Sequence, residues 1–335
     1  MRAVAAETLA GLMTQALRRR GLSEEHAAYV VDGLVETSLR GVDTHGVRLF
    51  PTYLAELDGG RARARPELRW SGEGAARVLD AGGALGLVAG RVAADEAARL
   101  ARELGVGAVS VRSSNHFGAA AVYTLAMARQ GVLGLSFTNS DALVAPHGGR
   151  RPAFGTNPIS MAARGAGGDL FCADFATSQV SYSKVRHHRA HGLPLEPGWV
   201  VDEDETVLKP LGGHKGQCLG MMVEILCAVV AGMPLDAELS HLYAPPYDEP
   251  RRVAHLFLAL DPGAFRAAEA FRGDLSRFLG QVRGEPAVAG ARVVAPGDLE
   301  EETAAARRRD GVPLADEEWA FFESLARPSD RQTLP

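Results

Sequence analysis

The chain has only three cysteines in 335 residues, Cys172, Cys218 and Cys227, and no CxxC spacing. A scattered, odd-numbered set excludes a disulfide framework and a zinc ribbon, and it fits reduced thiols in a cytoplasmic protein. An excess of positive charge is also missing, since 36 Lys and Arg stand against 41 Asp and Glu for a net charge of -5. With no basic stripe, neither nucleic acid nor a membrane surface is expected as a partner. The most apolar run, residues 219–233, contains Glu224. It falls short of the roughly 20 residues that span a bilayer and reads as a buried helix. A secretory signal is not expected either. The first apolar stretch is broken by Glu7, and Leu9, Leu12, Met13 and Leu17 recur at amphipathic-helix spacing.

The common catalytic signatures are absent too. No GxGxxG follows a strand and opens a helix, because the Gly82-Gly83-Ala-Leu-Gly86 run has the wrong spacing, so a standard Rossmann site is not expected. Without GxxxxGK[ST], HExxH or GxSxG, P-loop hydrolysis, zincin chemistry and serine hydrolysis lose their support.

What is present is an ordinary globular composition, 46% hydrophobic and 23% charged, long enough for more than one domain. Ser23 followed by Glu24 and Glu25 marks a helix start, and Ala27, Val30, Val31, Leu34 and Val35 give one apolar face up to Arg40-Gly41. A further helical stretch carries Leu49, Tyr53, Leu54 and Leu57 and closes at Gly59-Gly60, so the first 60 residues read as all helical. From Pro66 β-rich runs at 76–79, 106–111, 132–137, 159–162 and 170–173 alternate with helices at 90–104 and 119–129, an α/β pattern. Further strands are expected at 253–260 and 292–295. Helices from Glu300 and Asp316 then close the chain and pack back on the N-terminal ones.

Two histidines have the company of a site. His45 lies in Arg40-Gly-Val-Asp-Thr-His-Gly-Val-Arg48, a loop just past a helix, and His116 in Ser113-Ser-Asn-His-Phe-Gly118, at a strand-to-helix junction. Each pairs an imidazole that exchanges protons near neutral pH with a glycine that admits close backbone approach. In Leu211-Gly-Gly-His-Lys-Gly216, Lys215 stands at the start of an apolar helix, where an anion is favoured, or where a plain tight turn would do. His187, His188 and His191 cluster on one expected helix at metal-pair spacing. With no acidic third ligand from Ser178 to His191, and with Lys184, Arg186 and Arg189 beside them, they read as a solvated basic face; no metal is expected.

Six stretches taken together resemble the malate/L-lactate dehydrogenase family of the non-Rossmann type, which includes ureidoglycolate and sulfolactate dehydrogenases and cyclic imino acid reductases. They are Arg40-Gly-Val-Asp-Thr-His-Gly46, Asn115-His-Phe-Gly118, Gly155-Thr-Asn-Pro158, Asp174-Phe-Ala-Thr-Ser178, Gly212-Gly-His-Lys-Gly216 and Pro296-Gly297, in the family's order. The resemblance implies a homodimeric enzyme using NAD or NADP on a small 2-hydroxy or 2-oxo acid. It implies an α/β fold of the L-sulfolactate dehydrogenase-like type, with a mixed-sheet cofactor domain over 66–297. A helical domain would comprise 1–65, joined by C-terminal helices within 298–330.

Hydride transfer to a carbonyl needs a proton for the developing alkoxide, and His116 is the first choice of donor, with His45 the rival. In the imino acid reductase branch the histidine matching His45 is the donor, relayed by a neighbouring serine and a later aspartate. This chain has Thr44 and Lys184 there, which moves it toward the hydroxy acid branch. Arg48 can offer a carboxylate a planar fork, or cap a surface turn. Ser140 resembles a substrate-contacting position and Lys184 a substrate-side one. The resemblance puts His116, Phe117, Gly118, Thr156, Asp174, Phe175, Ala176, Lys215 and Gly216 near the dinucleotide, and Pro296-Gly297-Asp298 at its far end. On the residues alone, Asp174 could equally be a helix cap and Thr156 a turn.

Two departures from the family bear on substrate choice. His147 replaces a bulky apolar side chain, and residues 200–211 are short and acidic, with Asp202, Glu203, Asp204 and Glu205. The competing classes are a metal-dependent hydrolase and a catalytically inactive binding homologue.

Overall fold

The structure, a computed structural model, describes residues 1–202 and 206–326. Glu203, Asp204 and Glu205 therefore lie outside the described residues, as does the chain beyond residue 326. Strand β1 (Arg2–Val4) leads into α1 (Ala6–Arg19), which buries Leu9, Met13 and Leu17 at the spacing read from the sequence. Helix α2 (Glu24–Leu39) starts at Ser23, whose hydroxyl accepts the His26 N–H at 3.1 Å. Helix α3 (Phe50–Gly59) ends at Gly60, whose φ of 87° suits only a residue without a Cβ.

The α/β part follows as β2 (Arg69–Ser71), β3 (Ala76–Asp80), α4 (Gly86–Leu104), β4 (Val106–Ser114), α5 (Ala121–Arg129), β5 (Leu133–Thr138), β6 (Ile159–Arg164) and β7 (Leu170–Phe175). Helices α6 (Tyr182–Ala190) and α7 (His214–Glu224) precede β8 (Val253–Leu260) and α8 (Ala268–Arg283). Seven strands form one sheet in the order β2-β3-β4-β8-β5-β6-β7, with β3 and β4 parallel and the other neighbours antiparallel. Strand β8 is central, matching Phe257 to Val109 on one side and to Ser136 on the other. Its near-continuous apolar run, Val-Ala-His-Leu-Phe-Leu-Ala-Leu, suits a strand covered on both faces.

The chain closes with α9 (Asp298–Asp310), β9 (Val312–Leu314) and α10 (Asp316–Ser324). Strand β9 pairs antiparallel with β1, and Phe322 stacks on Phe50 at 6.2 Å, so the C-terminal segment returns to the N-terminal helices. The largest buried cluster runs without a break from Leu9, Leu17 and Leu34 through Leu87 and Ala97 to Val109 and Phe257. The helical layer and the sheet thus share one core.

Three expectations need correction. Residues 292–295 form no strand; the segment meets the sheet through the Pro296 carbonyl, which accepts the Cys172 N–H at 3.0 Å. The N-terminal 60 residues are not all helical, because β1 precedes α1. The apolar run at 219–233 is helical but only half buried. Val223 and Cys227 pack against Phe137 and Leu256, while Ile225, Val229 and Val230 are 50%, 57% and 59% exposed. No helix among the described residues is long and apolar enough to cross a membrane.

Candidate active site

His116 is fixed by the way β4 hands over to α5. Asn115, fully buried, donates to the carbonyls of Gly83 and Ala84 at 3.2 and 2.9 Å. Gly86, at the start of α4, lies so close that a Cβ there would collide with the Asn115 and His116 carbonyls. Gly118, with φ of 76°, then turns the chain into α5. His45 ends a short helical turn, Asp43–His45, and Gly46 behind it lies against Ser38 with no room for a side chain. The Ser38 hydroxyl accepts the Val47 N–H at 2.9 Å, while Arg307 of α9 grips Asp43 at 2.6 and 3.0 Å.

These two segments, distant in sequence, bring the imidazoles face to face, with centroids 5.9 Å apart and planes 27° from parallel. Thr44 Oγ1 is 2.9 Å from His45 Nδ1, and the buried Tyr53 hydroxyl is 2.7 Å from His116 Nδ1. Tyr53 can donate to a bare Nδ1 or accept from a protonated one, and either way it leaves Nε2 for the cleft. Desolvation holds the His116 pKa well below the ordinary histidine value, and His45, Arg251 and His255 add repulsion. Desolvation also lowers His45. Behind them His255, fully buried between Thr138 and Ser114 hydroxyls at 2.7 and 2.8 Å, is pushed down to about 3 by burial. It stacks on Phe117 as core.

The cleft at these histidines encloses ≈ 370 Å³, within the range of small-molecule sites. Thr44, His45, His116, Gly118, Ser140, Thr156, Asp174, Phe175 and Ala176 line it together. Asp174, at the end of β7, accepts the Ala121 N–H at 2.9 Å. Although the residue reaches solvent, desolvation by the surrounding walls raises its pKa to about 6 despite that bond, and Glu300 adds to the rise. Phe175 is 41% exposed, and Gly118, Ala119, Ala120 and Ala121 line the same cleft as a row of small residues.

Other sequence-derived candidates lie outside this lining. Arg48 is turned to Glu318 of α10, with Nε 2.9 Å from Oε1. Lys184 holds its ammonium over the Trp199 ring at 4.6 Å. Lys215 is exposed at the start of α7, and Gly216 is pressed against the Leu211 backbone. Gly213, one turn back, borders a second cavity with His147 and Lys209. Phe117 is buried behind the histidines, and Pro296 and Gly297 abut Cys172 from outside the wall. Asp298 pairs with Arg283 at 2.7 Å. His187 on α6 and His191 just past its end hold their rings 4.2 Å apart and tilted by 36°, and among the described residues no group of three His, Cys, Asp or Glu side chains could hold a metal ion.

Sequence reasoning missed several lining residues, namely Arg40, Asp141, Tyr182, Ser183, His241, Tyr243 and Glu300, together with Tyr53 behind His116. Tyr53 carried a signal that went unused, a phenol on the buried face of a helix two turns after His45.

A mixed, largely antiparallel sheet thus presents two facing imidazoles and a row of small residues to one cleft, without the parallel sheet of a doubly wound nucleotide fold. The comparisons with known proteins make the class definite. Residues 4–323 match the malate/L-lactate dehydrogenase family, and the chain belongs to it. It is 30% identical to ureidoglycolate dehydrogenase (NAD(+)) from Escherichia coli, over 96% of this chain and 95% of the relative. It is 35% identical to a Delta(1)-pyrroline-2-carboxylate/Delta(1)-piperideine-2-carboxylate reductase from Pseudomonas aeruginosa, over 77% of this chain and 81% of that one. Sulfolactate dehydrogenase from Methanocaldococcus jannaschii superposes with a TM-score of 0.90 at 27% identity, covering 97% of this chain and 96% of that one. The family is one of NAD(P)-dependent 2-hydroxy acid dehydrogenases.

Proposed function

We propose that the cleft interconverts a small 2-hydroxy acid and its 2-oxo acid, with His116 exchanging the proton. A bound nicotinamide dinucleotide would supply the hydride acceptor in oxidation and the hydride donor in reduction. As the C2–H hydride leaves, His116 Nε2, bare in the tautomer that keeps its proton on Nδ1, takes the hydroxyl proton to form the imidazolium, and the Tyr53 oxygen accepts a hydrogen bond from Nδ1–H throughout. In the reverse direction the same imidazolium returns its proton to the new alkoxide. His45, steadied by Thr44, orients the substrate from the opposite side. Thr156, Asp174, Phe175 and Ala176 would hold the dinucleotide against the row of small residues. Lys215, Gly216 and the 296–298 turn would support it from behind the lining.

Arg48 would serve the substrate carboxylate only by leaving Glu318, so Ser140 and the histidines are the nearer partners. The chain would work as a helical unit, 1–65 with 298–330, closing on an α/β unit, 66–297, in a cytoplasmic homodimer. The exposed Ile225, Val229 and Val230 supply an apolar face for that pairing.

The observation that carries the proposal is the facing imidazole pair with Tyr53 on His116 Nδ1. The test follows nicotinamide absorbance with purified protein, each cofactor in turn, and a panel of 2-oxo acids and cyclic imines. Turnover of 2-oxo acids is expected. A second reading, reduction of a cyclic imino acid with His45 as donor, is favoured by the 2.9 Å Thr44–His45 contact, and turnover of imines alone would select it.

A further inference from the structure

One wall of the cleft has no part in the proton chemistry. Asp141, with only 9% of its side chain exposed, is held from behind by Arg251, whose side chain is wholly buried and whose Nη2 donates to Oδ1. Arg251 Nε is bound to the Ser240 carbonyl at 3.0 Å, so the guanidinium is fixed and aims the carboxylate forward. The nearest side-chain partner on the cleft side, His241 Nε2, is 3.7 Å from Oδ2, too far for a hydrogen bond. Oδ2 is therefore an open acceptor. Leu143, Tyr182, Ser183 and Tyr243 line the cleft with it, none of them a cation, and the nearest guanidinium beyond them, Arg186, is stacked over the Tyr243 ring at 5.0 Å.

The charges of the whole lining point the same way. Among the described residues three carboxylates, Asp141, Asp174 and Glu300, and one guanidinium, Arg40, line the cleft, and the charge of Arg251 behind the wall is taken up by Asp141. Arg40 is already bound to Glu36 and Glu301. A second carboxylate or a sulfonate on the substrate would meet an acceptor that cannot donate to it, whereas an N–H group would satisfy Oδ2.

Resting on the 2-hydroxy acid reading above, we propose that Asp141 selects substrates whose far end is an uncharged N–H donor of carboxamide type and rejects those bearing a second anion. Asp141 is then a specificity residue, set by Arg251, and takes no part in hydride or proton transfer.

The test measures kcat/KM for lactate, malate and the C4 monoamide of malate with NAD+ and NADP+, all racemic and at one pH. The monoamide is expected to exceed malate by about tenfold or more. In Asp141→Asn that ratio is expected to collapse toward one, and because it compares two substrates of one variant, a general loss of active protein leaves it unmoved. The wild-type ratio stands as a test even where burying an unpaired Arg251 weakens the variant. Malate turned over as well as the monoamide, or a ratio unchanged in Asp141→Asn, overturns this inference and leaves the dehydrogenase reading intact. No turnover of any of the three overturns that reading and this inference with it.

Discussion

His116 is a base whose proton affinity the fold has lowered, and the direction of that shift sets how the reaction responds to pH. Because its pKa lies well below 6.5, the neutral base is present at neutral pH. Oxidation of a hydroxy acid, measured as kcat/KM, should hold its plateau down to below that value and fall only on further acidification. Reduction, which consumes the proton, should decline as pH rises through the same low range. His116→Ala should cost on the order of 10² to 10⁴ in kcat while cofactor affinity, read by fluorescence titration, changes little. Tyr53→Phe, which keeps the ring and removes the partner of Nδ1, should lower kcat and displace the pH limb; an unmoved profile would remove Tyr53 from the chemistry. Asp174 titrates in the other sense. Its pKa is raised to about 6, but the residue stays solvent-exposed, so Asp174→Asn should shift the melting temperature only slightly, and in the upward direction at pH 8 rather than at pH 4.5.

The elements position these residues by close approach, and Gly86 is where α4 does so. Gly86→Ala would force the Asn115 and His116 carbonyls aside and should destabilise by about 1–3 kcal/mol in urea unfolding, with kcat falling alongside. Most elements were legible because their signals are local. Strand β8 runs over the residues read from the sequence, β3 to β7 keep their expected starts to within a residue, and Ser23 and Gly60 punctuate their helices as read. Strands β1, β2 and β9 were not legible. Each spans three residues, too few to display an alternation, and pairing with a separate segment creates them. The same distinction divides the cleft. Thr44, His45, His116 and Asp174 stand in contiguous motifs, but Asp141 acquires meaning from Arg251, 110 residues away, and Tyr53 from His116.

For the molecule as a whole, the apolar strip after α7 is a run of neighbouring large apolar side chains left in water. Its inner side, Val223 and Cys227, is core, and its outer side, Ile225, Val229 and Val230, meets water in a single chain. Val229→Glu should convert a dimer to a monomer by light scattering while leaving far-ultraviolet dichroism unchanged. A wild-type protein that is already monomeric would sink the pairing.

The bond between Arg307 and Asp43 reaches from α9 into the turn that carries His45, and Glu318 of α10 holds Arg48 three residues on. Proteolytic trimming of the chain from residue 298 onward would thus silence the enzyme without touching an imidazole. The loop bearing His45 would keep its Ser38 anchor but lose the clamp on Asp43 and the hold on Arg48, so the geometry of one imidazole is guarded by a segment more than 250 residues away.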